Sequence, residues 1–252
     1  MSCVNPNSNN MTTTEPLPHL SKDGSVHVTD EKFNTLSHLA ATIFAVLGGS
    51  HLIVEASVVG APWHITGFSI YTLGLVSLFL FSTLHHGVNG SPKVEDVLRL
   101  LDYVAIFLLI AGTYTPVCIA LLRGPTGWTV FGVSWLVAVV GIALKCIRPD
   151  IPKRTTMTLY MALGWIAIAL VGPLYDSSGA GAIAWLTAGG LFYTVGGIIF
   201  MREKPNPIPG RFGFHEIWHI FVILGAAAHW WFMARYVLAP ILATELVAPV
   251  PD

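Results

Sequence analysis

The chain has 252 residues, of which 54% are apolar and only 11% charged, with a formal net charge of −1. So few charges, less than half the share of a soluble globular domain, together with a mean hydropathy of +0.66 point to a membrane protein. The near-neutral balance excludes a nucleic-acid binder, which carries a basic face.

In chain order, residues 1–30 come first. They are polar, contain proline, are rich in Asn, Thr and Ser, and hold no apolar core of the signal-peptide kind. They are expected to form a disordered cytoplasmic tail in which His19 and His27 are simply solvated. Residues 31–240 read as one membrane domain and 241–252 as a short C-terminal tail. Long stretches of this domain lack Asp, Glu, Lys and Arg altogether, and about 20 apolar residues suffice to cross the hydrocarbon core. The predicted fold is an all-α, seven-transmembrane helix bundle, with spans near 33–56, 64–86, 99–122, 127–146, 155–175, 182–201 and 214–238. Cys3, Cys118 and Cys146 are widely separated and show neither metal-ligand spacing nor a disulfide framework.

Basic residues set the orientation. Lys22 and Lys32 precede the first span. Lys93 and Arg99 follow the second; Lys145, Arg148, Lys153 and Arg154 follow the fourth; Arg202, Lys204 and Arg211 follow the sixth. Only Arg123 and Arg235 fall on the other side. The N-terminus is therefore expected in the cytoplasm and the C-terminus outside. Trp63, Trp128 and Trp185 each fall at the predicted outer start of a helix, where an amphipathic ring prefers the headgroup layer.

With that topology, polar residues from four helix ends share one depth near the cytoplasmic face. They are Glu31, Asn34 and His38 on helix 1, Ser82, His85 and His86 on helix 2, Asp102 on helix 3, and His215, Glu216 and His219 on helix 7. Ionisable groups are costly in a membrane helix and mark candidate functional sites. His215 and His219 are spaced i, i+4, as are Ser82 and His86, so each pair lies on one helix face. If His86 faces His215 and His219, three neutral imidazoles can hold one Zn2+ with a fourth position open. Asp102 would then orient or deprotonate a water there. His51, His64 and His229 lack such company and are expected to be structural.

The segment HEIWH, His215–His219, also fits the His-Glu-x-x-His pattern of metalloproteases, in which the glutamate is the general base. Helix geometry leaves Glu216 within reach of that role.

Together, ExxNxxxH at Glu31, Asn34 and His38, SxxxH at Ser82 and His86, LDYVAIFLLIAGTYTP at 101–116 and HxxxH at His215 and His219 resemble the hemolysin III family. That family is the bacterial branch of the progestin and adipoQ receptor proteins, within a wider superfamily that includes alkaline ceramidases. The resemblance covers about residues 31–238. It implies seven helices with a cytoplasmic N-terminus, zinc ligands at His86, His215 and His219, an aspartate at Asp102 that holds a zinc-bound water, and the motif serine at Ser82. The bacterial pattern usually has Tyr where this chain has His85, which leaves His85 as an alternate ligand ranked behind His86. The resemblance favours Asp102 over Glu216 as the base. Intramembrane metalloproteases need an Asp in an NPDG-like setting; Asn5-Pro6 and Asn206-Pro207 are not followed by Asp-Gly.

The expected function is a zinc-dependent hydrolase of lipid amide or ester bonds near the cytoplasmic leaflet of a bacterial inner membrane. Asp102 would serve as base and Ser82 as a donor to the developing oxyanion, with membrane lipid as substrate or ligand. The runner-up is a sensor of membrane lipid state with a structural zinc. A cytolytic activity, the origin of the family name, is a distant third.

Overall fold

The computed structural model describes Lys22 and residues 29–247, with the side chains of 245–247 excepted. Apart from Lys22, Thr29 and Asp30, the expected N-terminal tail lies outside the described residues, as do Cys3, His19, His27 and positions 248–252. The described residues form helices throughout, and their one β-type pairing is an isolated bridge between Ile208 and Phe212.

Helix α1 spans Glu31–Val58, α2 Pro62–Gly87, and α3 Pro92–Pro116 with a π-helical turn at Val117–Leu121. Helix α4 spans Pro125–Ile147 and α5 Lys153–Trp165, the latter running through a 3-10 turn at Ile166–Leu170 into α6, Val171–Arg202. Helix α7 spans Phe214–Phe232, continues through a π-helical turn at Met233–Leu238 and ends in α8, Ala239–Val247. Residues 241–247, expected within a short C-terminal tail, are helical.

Local chemistry explains the starts. Asp30 Oδ1 accepts from the backbone N–H groups of Lys32 and Phe33, capping α1. Helices α2, α3 and α4 each open on a proline at the first position, where a missing N–H costs nothing. Helix α3 therefore begins seven residues before its predicted apolar span, because Pro92, Glu95 and Asp96 make a good first turn outside the hydrocarbon layer. Hydropathy reports only the buried length of a helix.

Among the described residues, six stretches are long and apolar enough to cross a membrane, and one of them, Lys153–Arg202, has 50 residues. Straight, it would reach about 75 Å, more than twice the ~30 Å hydrocarbon core. It is not straight. Gly179 adopts φ 75° and ψ −175°, a conformation essentially reserved for glycine, and the backbone leaves the helix there. The two limbs fold back on each other. Lys153 Nζ reaches Glu203 Oε1 at 3.4 Å, and a Cβ on Gly197 would meet Met161 and Met157.

Close helix approach depends on small residues. A Cβ on Gly74 of α2 would sit 2.9 Å from the Leu108 carbonyl oxygen of α3, and one on Gly67 2.7 Å from Pro116 Cα. These are backbone atoms, which cannot move aside. The core threads the bundle through Leu52, Phe68, Tyr71, Leu174 and Phe232. Outward faces stay apolar, as on α1 with Leu36, Phe44, Leu47 and Val58. At the end away from His86 and His219, Trp63 and Trp128 pack edge to face at 5.9 Å, with the Arg123 guanidinium 5.1 Å above the Trp63 ring.

Candidate metal centre

The last turn of α2 and the first turns of α7 meet. The ring centroids of His86, His215 and His219 are 5.0 Å (His86–His215), 4.9 Å (His86–His219) and 4.9 Å (His215–His219) apart, close to an equilateral triangle. One nitrogen from each ring lies within 4.8 Å of the others, and His86 Nε2 is 3.3 Å from His215 Nε2. Zn–N bonds of about 2.0–2.1 Å in tetrahedral geometry place neighbouring nitrogens about 3.3–3.4 Å apart. All three rings are buried.

Helix α1 supplies the outer support. Glu31 Oε2 lies 2.5 Å from His86 Nδ1. A carboxylate only accepts, so Nδ1 carries the proton and Nε2 is left as a lone pair facing His215. Glu31 Oε1 is itself held by the Thr29 hydroxyl at 2.8 Å. The residues fit a metal: three clustered imidazoles, one with its tautomer set by a carboxylate, and one nitrogen pair at the separation a tetrahedral ion requires. His38, also on α1, stacks on His219 with centroids 3.8 Å apart and meets the Phe79 ring edge-on at 5.1 Å. Sequence reasoning gathered Glu31, Asn34 and His38 at this depth but gave them no roles. Their i, i+3, i+7 spacing was the available signal, since it puts them on one stripe of α1.

Removing the Glu31 carboxylate tests this support. Glu31→Gln should keep the fold and weaken metal affinity about 10–100-fold, read by competition against a chelator of known affinity.

Glu216 faces away from the histidines. Its Oε1 accepts from the Asp30 backbone N–H at 2.7 Å and from Asn34 Nδ2 at 3.2 Å, and its Oε2 accepts from the Gly213 N–H at 2.8 Å. The glutamate of HEIWH therefore caps its own helix and fastens it to the start of α1.

His85 lies beside His86, ring centroids 4.8 Å apart, but is outside the metal-binding group. Lys22 closes the end of α2, its Nζ donating to the carbonyls of His85, His86 and Val88 at 3.2, 3.2 and 2.7 Å. A cation there satisfies carbonyls that have no helical partner. The remaining histidines stand apart. His229 Nε2 is 3.2 Å from the Leu186 carbonyl oxygen. His64 packs beside Phe68, ring centroids 6.0 Å apart. His51 is half exposed, with Nδ1 3.8 Å from Glu55 Oε1, so it is not the internally bonded residue expected.

Asp102 and Ser82 join the centre from the bundle side. The Asp102 carboxylate lies beside the Ser82 hydroxyl and within electrostatic reach of His86 and His215. Ser82, Asp102, His215 and His219 together line one end of a cavity of about 210 Å³. From there the cavity runs between α3, α5, α6 and α7 past Ile106, Tyr114 and Val222 to Leu170, Leu186 and His229. Trp165, Ile168 and Leu191 on its wall are also exposed at the bundle's outer face, so it opens sideways between α5 and α6.

These features define a multi-pass helical membrane protein with a candidate three-histidine metal centre at one end of an internal cavity. A family model described as "Haemolysin-III related" matches residues 26–230, and the chain belongs to that family. It is 37% identical to "Hemolysin-3" of Bacillus cereus over 211 residues, 84% of this chain and 93% of that protein. It is 34% identical to "Hemolysin-3 homolog" of Bacillus subtilis (strain 168) over 201 residues, 80% of this chain and 91% of the relative. A more distant relative is the human "Monocyte to macrophage differentiation factor", 28% identical over 171 residues, 66% of this chain and 68% of the relative.

Proposed function

We propose that the chain is a seven-span, zinc-dependent hydrolase of lipid amide or ester bonds, working at the cytoplasmic side of a bacterial inner membrane. The seven-span reading rests on the hairpin within Lys153–Arg202, and the orientation on the Lys and Arg distribution. The observation that carries the activity is an apolar cavity whose one end is lined by Asp102 and by two of the three clustered imidazoles.

His86, His215 and His219 would hold the zinc, which when bound supplies Lewis acidity to a carbonyl oxygen and lowers the pKa of water. The chain's own residues do the rest. Glu31 and His38 fix the rings of His86 and His219. Asp102 accepts the proton shed by a water as its oxygen attacks the carbonyl carbon, and returns it to the departing amine or alkoxide. Ser82 aims that carboxylate. Beside Asp102, its hydroxyl can orient the base or donate to the developing oxyanion. The cavity receives the apolar chain of the lipid and keeps bulk water from the reacting carbonyl.

A second reading makes the metal a structural clip in a lipid sensor. It is favoured by the way Glu31, His86, His215 and His219 tie the ends of α1, α2 and α7 together. One experiment separates the two. Purified protein should contain about one zinc per chain by elemental analysis and release fatty acid from a panel of lipid amides and esters, and a His86→Ala, His215→Ala double variant should lose both. Zinc without hydrolysis across the panel favours the sensor. Full zinc content in the double variant ends the proposal.

A further inference from the structure

The cavity has a second polar station, far from the histidine triad. Four of the polar side chains on its wall are committed to backbone carbonyls. The Thr113 and Thr194 hydroxyls donate to Leu109 and Gly190, and those of Tyr114 and Tyr160 to Leu163 and Tyr103. Tyr193 and His229 differ. The Tyr193 hydroxyl has no hydrogen-bond partner among the described residues. His229 faces the Leu186 carbonyl oxygen through Nε2, so Nε2 carries the proton and Nδ1 is left as an acceptor.

The two rings lie side by side, centroids 5.6 Å apart, and both line the cavity. Each is seated on a glycine of the facing helix. A Cβ on Gly189 would fall 2.2 Å from His229 Cδ2, and one on Gly225 2.9 Å from the Tyr193 ring. Such seats fix the rings in place. His229 stands ten residues beyond His219 on α7, or about 15 Å. An extended carbon chain advances about 1.2 Å per bond, so about 12 carbons separate a carbonyl at the histidine triad from the Tyr193–His229 pair.

A free phenol O–H is a donor, and a bare imidazole nitrogen is an acceptor. A hydroxyl satisfies both at once, accepting from Tyr193 and donating to His229 Nδ1. An unsubstituted chain would leave both groups desolvated and unpaired, and sites built to hydrogen-bond a hydroxyl reject analogues that lack it. We propose that Tyr193 and His229 form a specificity subsite for a hydroxyl on the substrate's acyl chain, about 12 carbons from the reacting carbonyl. The proposal deepens the lipid reading above and rests on it for the placement of the carbonyl.

Equilibrium binding tests it without turnover. Full-length protein in lipid nanodiscs is titrated with dodecanoic acid, 12-hydroxydodecanoic acid and 2-hydroxydodecanoic acid by displacement of radiolabelled dodecanoate. The 12-hydroxy acid should bind on the order of 10-fold more tightly than dodecanoic acid, and the 2-hydroxy acid should show no such gain. Tyr193→Phe, which removes one oxygen, and His229→Leu should each bring the 12-hydroxy and plain acids to similar affinity. Equal affinities in the unmodified protein, no saturable binding of either acid, or a preference that survives Tyr193→Phe would overturn the subsite. Lipid hydrolysis without this preference would sink the subsite alone. A preference in protein that hydrolyses nothing would uphold the subsite and remove the hydrolase reading.

Discussion

Asp102→Asn should leave zinc content intact and lower lipid hydrolysis by about 10²–10⁴-fold, the usual worth of a positioned general base. Asparagine keeps the size of the side chain and a carbonyl oxygen for the Ser82 hydroxyl, but it cannot accept a proton. The metal should stay, because the group that could hold it is His86, His215 and His219, without Asp102. Ser82→Ala removes only the partner that aims the carboxylate and should cost less, on the order of 10-fold. Elemental analysis and fatty-acid release on the same preparation read both quantities. Activity surviving in Asp102→Asn would show that another group takes the proton. Zinc lost along with the activity would make Asp102 part of the metal's support.

Glu216 should behave in the opposite way. It is buried and accepts three hydrogen bonds that join α7 to the beginning of α1. Glu216→Ala would strand the Asp30 and Gly213 N–H groups and the Asn34 amide, each costing about 1–3 kcal/mol when left buried and unpaired. A stability loss on the order of 3 kcal/mol is expected, read as a lower unfolding midpoint in detergent. Hydrolysis per zinc-loaded molecule should stay within a few-fold of the unmodified chain. Glu216→Gln, which keeps one acceptor oxygen, should lose less stability. If Glu216→Gln at full zinc occupancy is as inactive as Asp102→Asn, the metalloprotease-type role of HEIWH returns.

That contrast marks the limit of motif reading. His-Glu-x-x-His brings the two histidines to one helix face wherever it occurs, because 3.6 residues per turn decide it. It does not say where the glutamate points. Here Glu216 is the third residue of α7, so the unpaired N–H groups of the helix start draw its carboxylate backward, and Asn34 holds it there. Glu31 shows the converse. Counting along α1 places it at the depth of the histidines, yet its partner His86 lies 55 positions away. A long-range pair of that kind leaves no local pattern.

The membrane class was legible because burying an uncharged 20-residue stretch in lipid is a property of the stretch itself. The convergence of polar groups at one depth followed from counting residues along helices of known rise. The 50-residue stretch Lys153–Arg202 shows where local reading thins out. Its two limbs were expected as separate spans, near 155–175 and 182–201. They are joined by helix on both sides of the break, which rests on the single left-handed backbone of Gly179.

Composition, hydropathy and helical spacing thus determined that this chain is a helical membrane protein with histidine pairs near one face, since each depends only on neighbours within a turn or two. Which helix faces meet was decided by tertiary packing alone. It made a triangle of His86, His215 and His219, turned Glu31 toward His86 and Glu216 away from the histidines, and put Tyr193 and His229 on the wall of the cavity. Side-chain direction depends on contacts between residues tens to nearly two hundred positions apart, and no local periodicity encodes those.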